Sequence, residues 1–173
     1  MNSKLNTMCA VFAALILGLG LLQPFGGDAA PRPNGDGNLV GTWRVQVNPT
    51  VCQTGAPIPS FSILLSFAQG GTLTEAINSP AFLPGQRSVG LGVWSHTHGR
   101  TYKAIWNGFI QFDSPAPATL KRGVQRLNWD IELDGDQATF ESNSQFLDLN
   151  GNVLANTCAS GTLTRIQIPL EQN

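Results

Sequence analysis

The sequence is poor in the features that would name a chemistry. Beyond its first thirty residues no segment keeps a helical period over three turns, which points away from helical and alternating α/β folds. No charge of one sign dominates either: ten Lys and Arg stand against eleven Asp and Glu, a formal net charge of −1. A nucleic-acid binder would carry a basic face and a high pI, and a membrane-binding stripe would need clustered cations; only Lys121, Arg122 and Arg126 lie close together. The chain has just two histidines, His96 and His98. They sit two apart, on one face of a strand, and could ligate a metal, but no third histidine and no free cysteine completes a set. Hydrolase nucleophile motifs such as Gly-x-Ser-x-Gly are absent, as are phosphate-cradling glycine loops. Asp148-Leu149-Asn150-Gly151-Asn152 lacks the acidic residue that closes a calcium loop, and Asp134 and Asp136 have no carboxylate placed opposite them for acid and base work. No catalytic residue, metal or cofactor is therefore assigned.

What is present begins with an N-terminal export pattern. Lys4 supplies a positive segment, and Met8 to Leu22 is an apolar run broken only by glycine. A run of about 15 residues is shorter than the roughly 20 that span a bilayer as a helix. The alternative is an uncleaved anchor. Cleavage after Ala29 places Gly27 and Ala29 at the small-residue positions, which gives a signal peptide at 1–29 and a secreted or periplasmic product. Cys9 leaves with it. The two cysteines that remain, Cys52 and Cys158, have only one intramolecular pairing in an oxidising compartment. About 144 residues are left, enough for one domain with a sizeable core.

Residues 30–38 are Pro, Gly and polar residues without periodicity and read as a flexible leader, so the domain is 39–173. There the period is two. Trp43, Val45 and Val47 alternate with polar neighbours. Ser60 to Ala68 and Thr72 to Ile77 flank Gly70-Gly71 as a hairpin. Ser88 to Thr97 and Thr101 to Phe112 flank His98-Gly99, after an irregular segment from Asn78 to Arg87. Beyond a Pro- and Ala-rich loop (Asp113 to Lys121), Val124 to Leu133 sets Leu127, Trp129, Ile131 and Leu133 on one face. Asp134-Gly135 turns into a strand with Ala138, Phe140, Ser142, Ser144 and Phe146 on one side. The last strand reads as broken: Val153 to Ala155, an interruption from Asn156 to Gly161, then Thr162 to Ile168. Eight strands joined by short turns predict an all-β fold, a single antiparallel up-and-down eight-stranded β-barrel. With an even strand count, the first and last strands meet antiparallel. Cys52 and Cys158 then fall beside each other, and their disulfide ties the seam.

Gly41-Thr42-Trp43 at the head of the first strand and Arg165 near the end of the last resemble the lipocalin, or more broadly calycin, family. Gly92-Val93-Trp94 with Gly99 and Tyr102 is similar to the hairpin of short secreted bacterial barrels of that type. The resemblance implies that Trp43 packs at a closed barrel base beneath Arg165, with Gly41 opening the strand. The Thr-Asp-Tyr motif typical of lipocalins is missing, and too little chain follows Ile168 for the helix they pack on the barrel wall.

A mixture of aromatic and small polar residues is expected on the lumen side: Trp94, His96, Tyr102, Trp106, Trp129, Phe140, Ser142 and Phe146. Such a lining suits a small hydrophobic ligand, although eight strands also allow the interior to be filled by side chains alone. Three functions fit: a monomeric barrel binding a small apolar molecule; a barrel enzyme acting on a lipid-like substrate, as the related allene oxide cyclases do, with Tyr102 or His96 as the groups to test; and a ligand-free envelope module.

Overall fold

The computed structural model describes residues 38–114 and 120–168. The expected signal peptide 1–29 and nearly all of the leader 30–38 lie outside the described residues, as does the middle of the Pro- and Ala-rich loop. Eight strands follow in order: β1 (Gly41–Thr50), β2 (Phe61–Phe67), β3 (Thr72–Asn78), β4 (Gly90–His98), β5 (Thr101–Ile110), β6 (Gly123–Asp134), β7 (Gln137–Asp148) and β8 (Val153–Arg165). Each pairs antiparallel with its neighbour in sequence, and β8 returns to β1, closing the barrel. Among the described residues no helix is long and apolar enough to cross a membrane.

The alternation read from the sequence is the physical cause of closure. A strand with one apolar face is stable only if that face is turned away from water, and eight such strands solve the problem together by curling round a shared interior. Along β1 Trp43, Val45 and Val47 are buried while Thr42, Arg44, Gln46 and Asn48 are exposed. On β6 Leu127, Trp129, Ile131 and Leu133 are buried in the same way. Closure pairs the first strand with the last, so neither end of the sheet presents a full open edge to template association.

The seam has the predicted register. Trp43 stands opposite Arg165 and Thr50 opposite Cys158. Cys52 and Cys158 are disulfide-bonded with Cα atoms 5.0 Å apart, and 106 positions separate them in sequence. A closed loop of about 100 residues removes on the order of 4 to 5 kcal/mol of denatured-state entropy in the chain-entropy model.

One expectation is corrected. The last strand is continuous from Val153 to Arg165, with no interruption between Asn156 and Gly161, and it ends before Ile166. Turn-forming residues do not break it because ladder pairing holds them: Asn156 pairs with Gln145 on one edge, and from Cys158 onward both edges are paired, Cys158 with Asn143 and Thr50 and Gly161 with Phe140 and Val47. Two ladders outweigh local propensity. The irregularity is displaced to a register shift near its start, between Phe146 and Leu147.

The barrel has two unlike ends. At the base, where β1 begins and β8 ends, Leu39, Trp43, Phe67, Leu133 and Leu163 are all buried to within 1 % of full. Trp43 donates its indole N–H to the Leu39 carbonyl at 2.9 Å, and the Arg165 guanidinium carbon lies 4.2 Å from the centre of the Trp43 ring. Such a cation over an indole contributes about 0.5 to 2 kcal/mol. Arg165 also donates to Asp136 Oδ1 at 2.8 Å, to the Asn38 carbonyl at 2.8 Å and to the Val40 carbonyl. Gly41 is required for two reasons: its φ is +137°, and a Cβ there would sit 2.7 Å from Arg165 Nη1. At the opposite end, the mouth, the interior is not filled.

Candidate functional site

A cavity of about 270 Å³ occupies the mouth half of the lumen. Its depth is set by the ring of Trp129, which stacks on Phe140 with centroids 3.5 Å apart and planes within 3°. Trp106 meets the same indole edge to face at 4.9 Å. The three rings occupy the middle of the barrel, between the packed base and the open end. Trp129 is the member of the stack that lines the cavity, together with Val47, Ile63, Leu127, Phe61 and Phe146 from the walls and Phe82 and Leu120 from the loops at the mouth. Small residues of β7 and β8 create the space: Ser142, Ser144, Ala155, Thr157 and Ala159 stand where larger side chains would fill it. The Ser142 and Ser144 hydroxyls lie 3.2 Å apart, one donating to the other.

The other wall carries charge. Glu75 projects inward from β3 between Leu73 and Ile77 and is completely buried. Its Oε2 pairs with Arg87 Nη2 at 2.6 Å, both side chains being at most 1 % exposed. Arg87 comes from the segment before β4, donates through Nε to Gln125 Oε1 at 2.6 Å and through Nη1 to the Ser88 carbonyl at 3.1 Å. Burial pushes the Glu75 carboxyl above its ordinary value, against the opposing pull of Arg87 and of the Trp106 indole that faces it. Room for the pair is made by glycines on the adjoining strands. A Cβ at Gly90 would collide with Glu75 Oε2 and lie 2.6 Å from Trp106 Cδ1, and one at Gly108 would lie 2.7 Å from the Arg87 guanidinium carbon. Glu75 and Gln125 both line the cavity.

The residues singled out in the sequence divide between the two ends. Trp129, Ser142 and Phe146 line the cavity, and Trp106 and Phe140 buttress Trp129 from behind. Trp94, His96 and Tyr102 belong to the base and line no part of it. The Trp94 N–H donates to the Ala68 and Thr72 carbonyls, both at 3.1 Å, and so pins the β2–β3 turn. Its ring lies 5.9 Å from that of Tyr102, and His96 packs on Tyr102 at 5.0 Å while remaining exposed. Burial raises the Tyr102 hydroxyl pKa, opposed by Arg165 and by the Leu39 backbone. The ladder slips between His96 and His98. Among the described residues no three His, Cys, Asp or Glu side chains are grouped to hold a metal.

Glu75, Arg87 and Gln125 were not singled out by sequence. One trace of them was readable: in Leu73-Thr74-Glu75-Ala76-Ile77 the period of two puts a carboxylate on the apolar face. Elsewhere, a hollow of about 280 Å³ lies outside the barrel over β4 to β6. It is flanked by the exposed Lys103–Asp130 ion pair and by the exposed side chains of Val93 and Ile105. It holds no buried charge. The lumen cavity is open at the mouth, largely apolar and edged by buried polar groups, a lining of the kind small-molecule sites use. No protein-family model, no curated protein and no solved structure matches this chain.

Proposed function

We propose that this protein is an exported, lipocalin-like barrel that takes a small, mainly apolar molecule into the mouth of its lumen and works as a monomer. The observation that carries the reading is the cavity above Trp129: an eight-stranded barrel can fill its interior with side chains, and this one does so at the base but not at the mouth. At about 270 Å³ the space is at the small end of the roughly 300 to 1,000 Å³ usual for ligand pockets. A single-ring or short-chain compound suits it; a retinoid or haem is too large. The disulfide supports an oxidising destination, and the Trp43–Arg165 contact supports the lipocalin-like assignment.

Intrinsic fluorescence tests this reading, because Trp129 forms the cavity floor. Titration with short-chain alcohols and alkylphenols should change the tryptophan emission saturably, and Trp129→Phe should remove most of that change. If no such compound perturbs the emission, and protein purified from its own host flies empty in native mass spectrometry, the binding reading is wrong.

A second reading, an enzyme acting on a lipid-like substrate, is favoured by one observation: Glu75 is a buried carboxylate with a raised pKa at the cavity wall, the kind of group general acid–base catalysis uses. Tyr102 and His96 lie at the wrong end for that role, so Glu75 takes their place as the group to test. Chemical conversion of a bound compound, detected by mass and lost in a Glu75 variant, would select this reading over simple binding.

A further inference from the structure

The barrel wall is incomplete at one place, and a buried ion pair spans it. The β3–β4 ladder covers only Thr72 to Glu75 against Gly90 to Val93. Beyond it β3 runs on to Asn78 paired with β2 and not with β4, Ala76, Ile77 and Asn78 standing opposite Leu64, Ile63 and Ser62. The chain entering β4 turns to its other neighbour. Ser88 donates its backbone N–H to the Phe109 carbonyl at 3.0 Å, Gln86 accepts from the Gln111 N–H at 2.9 Å, and Arg87 bridges to Ile110. The two walls therefore part toward the mouth, and the contact between Glu75 and Arg87 at 2.6 Å crosses the parting.

The segment that joins the parted walls is the lip of the cavity, which Ser79, Ala81 and Phe82 line. Its backbone is bonded largely to itself: the Phe82 N–H donates to the Ser79 carbonyl, that of Gln86 to the Leu83 carbonyl, and that of Leu83 to Gln86 Oε1. The Phe82 ring meets Phe112 edge to face at 6.4 Å, and Arg87 anchors the foot of the segment in the interior. A stretch with so few ties to its surroundings opens at low cost once an anchor is lost.

The two members of the pair differ in freedom. Glu75 is fixed in β3 between Leu65 and Gly90, whereas Arg87 lies outside every strand. Neutralising one partner leaves the other charge buried, which is strongly penalised, and the neutral Gln125 and Ser88 groups do not offset that cost. Arg87 is then the member that moves to water. Burial raises the Glu75 pKa, so Glu75 takes up a proton while ordinary carboxyls are still ionised. Arg87 is the charged group that acts on it; β2 contributes Leu65, β4 Gly90, β5 Trp106 and Gly108, and β6 Gln125, none of which titrates.

Resting on the binding reading above, we infer that the Glu75–Arg87 pair is an acid-released latch. At neutral pH it holds the 79–86 lip at the cavity, and protonation of Glu75 frees the lip and lets the bound molecule leave.

Hydrogen exchange of the unaltered, ligand-free protein at pH 7.5 and pH 4.5, corrected for intrinsic rates and read by mass spectrometry, tests the latch. Exchange in residues 76–89 should quicken by about tenfold or more at pH 4.5, while β6 and β7 stay protected. No change in 76–89, or an equal change in β6 and β7, overturns the inference. Replacing both members, Glu75→Leu with Arg87→Met, should abolish the acid response; a response that survives overturns the latch. Gly108→Ala keeps both charges, but its Cβ would lie 2.7 Å from the Arg87 guanidinium carbon. It should displace Arg87 and loosen the lip already at pH 7.5, and an unchanged lip in that variant counts against the latch. Release of 4-propylphenol, followed by tryptophan emission, should quicken by about tenfold over the same pH range. If the lip loosens in acid but the phenol binds at neither pH, the latch stands and the binding reading fails. If the phenol binds and its release ignores pH, the lip does not govern the cavity and the inference fails.

Discussion

The base and the mouth of this barrel are built from the same eight strands, yet they are held in different ways. At the base the interior is packed solid, and the side chains that close it (Leu39, Trp43, Phe67, Leu133 and Leu163) gain their stability from burial and from Arg165 laid across Trp43. At the mouth, β7 and β8 present Ser142, Ser144, Ala155 and Thr157, packing is given up for a cavity, and the seam is tied covalently by Cys52 and Cys158. The difference teaches that a closed ladder fixes the shape of a small barrel while the side-chain sizes at each end decide which end is structural. An end that leaves space unfilled gives up core stabilisation there, and the disulfide acts where that loss occurs.

Substitutions can break this comparison, and the largest effect should come from the seam. Replacing Cys52 and Cys158 with serine should lower the unfolding free energy by about 4 kcal/mol in urea denaturation, while the folded barrel retains its ladder. Trp43→Ala should cost about 3 to 5 kcal/mol through loss of buried area and the cavity left behind, with the lining of the mouth cavity unchanged. An effect near zero there would mean that the base is not the structural end. Arg165→Met should cost about 2 kcal/mol, since it removes the cation over the indole and a partly buried ion pair with Asp136 while keeping some of the packing. The smallest effect concerns the turn after β7. Asp148 accepts from the Asn152 side chain and from the backbone of Asn152 and Asn150, and these bonds hold its pKa below the ordinary 3.8. A carboxylate with a lowered folded pKa stabilises above its unfolded value, and that contribution fades as pH falls through the lowered one. Asp148→Ala should therefore shift the urea midpoint slightly at pH 7 and not at all once the pH is well below the native Asp148 pKa.

Much of the architecture was legible because burial imposes a period that residues cannot hide. Leu127 to Leu133 on β6 and Trp43 to Val47 on β1 announce their inward faces, and an even strand count brings Cys52 beside Cys158 at the seam. The continuity of β8 was not legible. Asn156 and Gly161 have the local preferences of a turn, and only ladder pairing, on one edge for Asn156 and on both for Gly161, overrides them. The candidate site was half legible: the lumen face of β6 and β7 gave Trp129, Ser142 and Phe146, but alternation says which way a side chain points and not how far along the barrel it stands. For that reason Trp94 and Tyr102 grouped with the lumen candidates although they stand at the base, away from the cavity. The Glu75–Arg87 pair was hidden more deeply, since Arg87 lies outside every strand and the glycines that make room for the pair are ordinary until the strands are curled together.

Calorimetric titration of 1-octanol into Ala155→Trp, side by side with the unaltered protein, tests the division of labour most directly. Ala155 lines the cavity and is only half-buried, so an indole there fills the mouth without touching the base. Loss of the binding heat in a variant that still unfolds at the same urea concentration is the predicted result. Unchanged affinity for the alcohol would contradict the account, because it would place the ligand somewhere other than above Trp129.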